Sequence, residues 1–231
     1  LSNPEGGLFD IGALIIEPVQ GSSKVVPPEG YMEKLMKICV EHDLILIADE
    51  IQCGLGRTGK MFAVEHWNVS PDIMTIGKAM ANGFPMSATI ARKEYFTDLV
   101  PGQHTSTYGG NPMGCAAASA TLNFMKENNI VDRAAELGEY FIRSLQDLAK
   151  DYSEIGEVRG KGLMIGIELV SSRETKEPVK WNEFMAPLIR AMLDRGVLVL
   201  PGGSRRNVIR LLPPLVITKD QIDRSVDVIR E

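Results

Sequence analysis

Leu44-Ile45-Leu46-Ile47-Ala48-Asp49-Glu50, residues 44–50, sets the architecture of this chain. Five apolar residues in a row, with no polar alternation, form the pattern of a strand buried on both faces. Such strands belong to parallel sheets covered by helices. The run stops at two carboxylates, so the carboxyl end of the strand is polar, and open α/β sheets bind their ligands at that end. Outward from this stretch the pattern recurs. Gly12–Glu17 (GALIIE, closed by Pro18), Asp72–Ile76 (DIMTI) and Met86–Ala91 (MSATIA) read as further strands. Pro27-Pro28-Glu29 opens a helix in which Tyr31, Leu35, Ile38 and His42 recur at spacings of four and three. A short helical stretch is expected near Lys60–Trp67. The fold class expected is α/β with a mostly parallel central sheet.

Beyond Asn111 the pattern changes. Pro112 starts an Ala-rich helix reaching about Lys126, and Ile130, Ala134, Leu137, Phe141, Leu145 and Leu148 make an amphipathic one. Short strands are expected at Leu163–Val170, Val197–Leu200 and Val208–Leu211, with a helix over Trp181–Leu193. Thr218 and Gln221 form a capping-box pattern ahead of Ile222, Val226 and Ile229. This half reads as a smaller C-terminal α+β domain. The expected division is 1–125 and 126–231, at a boundary that a long helix can blur.

Composition narrows the function classes. The 231 residues are 44% hydrophobic and 24% charged, with a net charge of −5, so no basic surface for nucleic acid is expected. No apolar run approaches the ~18–20 residues of a membrane span. Leu1-Ser2-Asn3-Pro4-Glu5 lacks the basic and apolar regions of an export signal. Cys39, Cys53 and Cys115 are odd in number and widely spaced, which argues against a disulfide framework and for a cytoplasmic location. His42, His66 and His104 are equally scattered, so no metal site is expected.

Gly54-Leu55-Gly56-Arg57-Thr58-Gly59-Lys60 matches the start of a nucleotide-binding P-loop, but Met61 stands where a magnesium-binding Ser or Thr is needed. Glu50-Ile51-Gln52-Cys53 also separates the loop from its strand, so a Gly-rich connecting loop is the better account. Asn68-Val69-Ser70 is a formal glycosylation sequon, followed by Pro71 and set aside. Asp49 at a strand end reads either as a turn or cap residue or as a ligand-binding carboxylate. Lys78, after DIMTI and Gly77, reads either as a solvated lysine or as an amine nucleophile. The two together are more specific than either alone. An acid at one strand end and an amine at the next are what a pyridoxal phosphate enzyme needs. The lysine forms a Schiff base with the cofactor, and the aspartate keeps the pyridine nitrogen protonated.

Four blocks resemble the signatures of class-III aminotransferases: Glu17-Pro18-Val19-Gln20-Gly21, Ala48–Gly59 (ADEIQCGLGRTG), Pro71–Lys78 (PDIMTIGK) and Thr107-Tyr108-Gly109-Gly110-Asn111-Pro112. Arg159–Met164 (RGKGLM) and Ile209–Leu215 (IRLLPPL) are similar to later blocks in the same order. The resemblance implies a fold-type-I enzyme with pyridoxal 5'-phosphate as cofactor. It implies that Asp49 pairs with the pyridine nitrogen, that Ile51 packs on the ring, that Gln52 serves the ring hydroxyl and that Lys78 is the Schiff-base lysine and proton shuttle. It further implies that Thr107 contacts the phosphate of a neighbouring subunit in a homodimer with shared active sites. Arg210 is similar to the arginine that pairs with a substrate carboxylate, and Glu17 is expected on the substrate side, either neutralising Arg210 or leaving it available to carboxylate-bearing substrates.

Two departures from the family pattern stand out. Family members are much longer, with a phosphate-binding Gly/Ser loop in the part ahead of residue 1, so the chain reads as a C-terminal part. Many relatives also carry an acidic residue where this chain has Ser22. The expected activity is transfer of an amino group from an amino acid, including an omega-amino acid such as 4-aminobutyrate, to an oxo acid. The alternatives are an amino-acid racemase or epimerase of the same family and a non-catalytic piece that needs its N-terminal half.

Overall fold

The computed structural model describes residues 10–231; the opening residues Leu1 to Glu5 lie outside them. The chain separates into two compact units, one of residues 10–18, 27–55 and 62–128, the other of residues 19–26, 56–61 and 129–231.

In the first unit, β1 (Ala13–Ile16), β2 (Ile45–Asp49), β3 (Ile73–Ile76) and β4 (Ala88–Ala91) form one sheet in that order. β1 and β3 run parallel to β2, and β4 closes the sheet antiparallel to β3. Helix α1 (Tyr31–Glu41) makes the crossover from β1 to β2. It buries Met32 and Cys39 against Leu46, with Leu14, Ile16 and Leu35 around them. That covers one face of the sheet. The register puts Ile15, Ile47 and Ile73 together on the other face, where Ile15 is 62% exposed and where the side chains of Asp49 and Thr75 follow. Helix α2 (Pro112–Glu127) starts as its sequence dictates. Asn111 Oδ1 accepts the Gly114 N–H at 2.8 Å, and Pro112 occupies the first helical position, where no N–H is needed. α2 packs on the 3-10 turn Lys78–Ala81.

The second unit holds α3 (Ile130–Leu148), β5 (Ile155–Lys161), β6 (Met164–Leu169), α4 (Ala186–Asp194), β7 (Leu200–Gly202), β8 (Val208–Leu211) and α5 (Lys219–Arg230). Its sheet is antiparallel, in the order β5-β6-β8-β7. Phe141, Leu145 and Leu148 of α3 pack with Ile165, Ile167, Ile209 and Ile222 in its core. Thr218 and Gln221 cap α5 reciprocally, at 3.3 and 3.0 Å. Two elements differ from the sequence reading. The stretch expected as one strand from Leu163 is the second arm of a hairpin whose first arm is β5. The expected strand Val197–Leu200 instead begins at Leu200, because only Leu200 to Gly202 find partners on β8.

Residues 56–61 are packing residues of this unit. A methyl group at Gly138 would overlap the backbone of Gly162, one at Gly162 would overlap Thr58, and one at Gly59 would lie 2.8 Å from Ala135. Arg57 donates to the carbonyl oxygens of Leu163 and Pro213 at 3.1 and 2.6 Å, and burial lowers its pKa to about 10. The glycines of GLGRTGK therefore serve close approach of backbones. Gly138→Ala is expected to cost about 3 kcal/mol or more, because backbone blocks the new methyl. Gly12→Ala, with open space around it, is expected to stay within about 0.5 kcal/mol. Urea unfolding of the two variants checks the contrast. Among the described residues no helix is long and apolar enough to cross a membrane.

Candidate active site

Strand alternation separates the two acids that end β2. Leu46, Ala48 and Glu50 point inward, and Glu50 is 1% exposed. Its carboxylate accepts the Val64 N–H at 2.9 Å and the Cys53 thiol at 3.1 Å, so it caps the 3-10 helix Ala63–Trp67. Burial pushes its pKa up. Asp49 faces the other way, half-buried. Its Oδ1 accepts the Ile51 N–H at 3.0 Å, while its second oxygen carries no hydrogen bond among the described residues. Glu50 is therefore a loop anchor and Asp49 an oriented carboxylate with an open lone pair. The sequence reading did not single out Glu50, although the period-two burial of Leu46 and Ala48 is the signal that finds it.

β3 brings the lysine to the same end of the sheet. Asp49 and Thr75 are register partners, and the Glu50 N–H donates to the Thr75 carbonyl at 2.9 Å. Asp72 at the start of β3 accepts the Leu46 N–H at 2.8 Å and pairs with Arg92 at 3.4 Å, which holds this register. Gly77 lies against Ile51, whose Cγ2 would be 3.6 Å from a methyl group there. Lys78 follows with φ 41°, a left-handed conformation costly for a residue with a Cβ and concentrated at functional sites. Asp49, Ile51, Gln52 and Lys78 thus gather at the carboxyl ends of two adjacent parallel strands. Glu17 is the exposed residue that follows β1 in the same sheet, and Thr107 is exposed in the loop ahead of α2.

Arg210 belongs to the second unit, in the middle of β8, opposite Gly166 and Leu200. A methyl at Gly202 would lie 2.6 Å from Arg210 Cδ and would overlap the Ser22 carbonyl, so glycine lets the arginine stem and the Ser22 turn approach. The Gly203 N–H donates to Ser22 at both its carbonyl, 3.2 Å away, and its hydroxyl, 3.3 Å away. Arg210 forms no ion pair among the described residues.

Among the described residues, two buried side-chain polar atoms lack a hydrogen-bond partner: Thr75 Oγ1 and Arg210 Nε. Such orphans are few in folded proteins, and each calls for an explanation. Here one borders Asp49 and the other belongs to the arginine singled out from the sequence. The donor set fits pyridoxal 5'-phosphate: a fixed carboxylate with an open oxygen for a ring N–H, an apolar side chain beside it, and an amine at the next strand end. No group of three or more His, Cys, Asp and Glu among the described residues could hold a metal ion.

Residues 8–231 match the aminotransferase class-III family. Ornithine aminotransferase 2 from Staphylococcus aureus is 42% identical over 220 residues, 94% of this chain and 52% of that protein. A leucine/methionine racemase from Thermococcus litoralis is 42% identical over 225 residues, 94% of this chain and 48% of that protein. Among solved structures, an amine transaminase from an uncultivated Pseudomonas species, in its PLP-bound form, superposes with a TM-score of 0.87 at 37% identity, over 94% of this chain and 50% of that one. The chain spans about half the length of the curated relatives it matches. A family match over nearly every residue, on a fold-type-I α/β framework with an acid and a lysine at adjacent strand ends, has one conclusion: the chain belongs to the class-III aminotransferase family.

Proposed function

We propose that the protein carrying this chain is a pyridoxal phosphate-dependent aminotransferase, moving an amino group from an amino acid to an oxo acid. The observation that carries the reading is the pairing of Asp49 and Lys78 at neighbouring parallel strand ends, with the Asp49 carboxylate already oriented by the Ile51 N–H. The first unit is read as part of the large cofactor-binding domain and the second as the small C-terminal domain. When bound, pyridoxal phosphate supplies an aldehyde that accepts amino groups and a ring that stores the electron pair left when a substrate carbon loses its proton. Asp49 holds the ring nitrogen protonated. Lys78 would anchor the cofactor, and its amine would carry the proton taken from the donor carbon. Ile51 covers the ring face, and Gln52 serves the ring hydroxyl side. Thr107 is assigned to the phosphate of a second copy, so a homodimer with shared sites is proposed. The three free cysteines suit a reducing cytosol.

Arg210 is assigned to a substrate carboxylate, which its rigid fork matches, and Glu17 to the substrate side of the site. Ser22 carries no charge that could neutralise Arg210, so both half-reactions are read as using carboxylate-bearing substrates. Arg210→Ala is expected to raise KM for donor and acceptor alike, by a factor corresponding to roughly 2–5 kcal/mol for a lost charged pair. Steady-state kinetics with the two substrates varied separately check this. A simple monoamine as best donor, unaffected by the substitution, would count against it.

The equal identity to a racemase supports a second reading, amino-acid racemisation by the same residues. Product analysis on the intact polypeptide separates them. An oxo acid formed in step with a new amino acid supports transfer, and an inverted enantiomer with no oxo acid supports racemisation.

A further inference from the structure

Thr75 is the single polar residue inside the strand Ile73-Met74-Thr75-Ile76. Its hydroxyl oxygen is shut off from solvent and has no hydrogen-bond partner. A valine would fill the same space without burying a hydroxyl, so packing does not explain the residue. Its place in the sheet does. Thr75 and Asp49 are Cα partners on adjacent parallel strands, so their side chains stand on one face with the strands ~4.8 Å apart. The Glu50 N–H to Thr75 carbonyl bond fixes the backbone at this point. One Asp49 oxygen is taken by the Ile51 N–H, and the other is open. A threonine has few staggered positions for its hydroxyl, and turning χ1 between them re-aims Oγ1 while the backbone stays fixed.

We propose that Thr75 is a positioning residue for Asp49: with cofactor in place its hydroxyl donates to the Asp49 carboxylate, keeping that carboxylate turned to the ring nitrogen. This rests on the cofactor reading above and adds to it a residue that acts only through Asp49. The other ionisable groups beside Asp49 are Glu17 beyond β1, Glu50 and Cys53 in the following turn, and Lys78 after β3. Glu50 faces inward to the Val64 N–H. All four stay unchanged in the variants below.

The test is the dissociation constant of pyridoxal phosphate, read by fluorescence at pH 8 on the intact polypeptide carrying this chain. Thr75→Val is compared with Thr75→Ser and wild type, and Thr75→Val is also made in an Asp49→Asn background. A donor to the Asp49 carboxylate matters only while that carboxylate is present. Thr75→Val is therefore expected to bind about tenfold more weakly than wild type, and most of that deficit is expected to vanish when Asp49 is already Asn. Thr75→Ser restores wild-type affinity. A deficit that persists in full in the Asp49→Asn background, or one that serine fails to repair, overturns the proposal in favour of a packing role, and so does a valine variant that binds as wild type. Should Thr75→Val not fold, Thr75→Ala is read by the same criteria. Wild-type protein that does not bind the cofactor at all would instead overturn the proposed function.

Discussion

Replacing Lys78 by alanine is expected to abolish covalent retention of the cofactor and to cut turnover by at least the roughly 10²–10⁴-fold that a positioned proton-transfer group contributes. On the proposed function the loss should exceed that range, because the same amine is also assigned as the nucleophile that anchors the cofactor. The fold should survive. Lys78 is exposed, and its left-handed φ of 41° is a strain that the site carries, so alanine loses no buried contact there. Absorbance of the loaded protein and single-turnover kinetics check the two parts. Unchanged turnover with Lys78→Ala would move the catalytic amine elsewhere.

Asp49→Asn is expected to have the second-largest effect. Asparagine keeps the shape, and its oxygen can still accept the Ile51 N–H, so the turn after β2 stays closed. What disappears is the negative charge. A charge-assisted hydrogen bond is worth about 1.5–3 kcal/mol, so the cofactor should bind roughly ten- to a hundredfold more weakly. The ring nitrogen should also lose its proton at neutral pH, and turnover should fall further than affinity because electron storage depends on that proton. Equilibrium titration alongside kcat separates the two losses. Equal losses in both would mean that Asp49 only holds the cofactor.

The parts of this fold that are legible in the sequence are those decided locally. Leu44–Ala48 and Asp72–Ile76 are apolar runs with no competing pattern, and both are strands of the first sheet. Thr218 and Gln221 satisfy the helix end beside them, so the cap of α5 is readable from two residues. β5 is not readable in this way. Ile155-Gly156-Glu157-Val158-Arg159-Gly160-Lys161 mixes glycines and charges, has a register shift between Ile155 and Glu157, and becomes a strand through its long pairing with β6. The role of Gly56–Met61 is equally hidden, because the reason for Gly59 is the backbone of Ala135, far away in sequence. At the site, Asp49 and Lys78 stand out because strand ends are legible. Glu50 and Thr75 do not, because which acid turns inward and which hydroxyl lacks a partner depend on alternation and register across strands.

Borohydride reduction of the intact, cofactor-loaded protein, followed by proteolysis and mass spectrometry, is the most direct measurement. The pyridoxyl group is expected on Lys78 alone. Its appearance on Lys60 of GLGRTGK, or on any other lysine, would contradict the assignment of the β2 and β3 strand ends as the cofactor site.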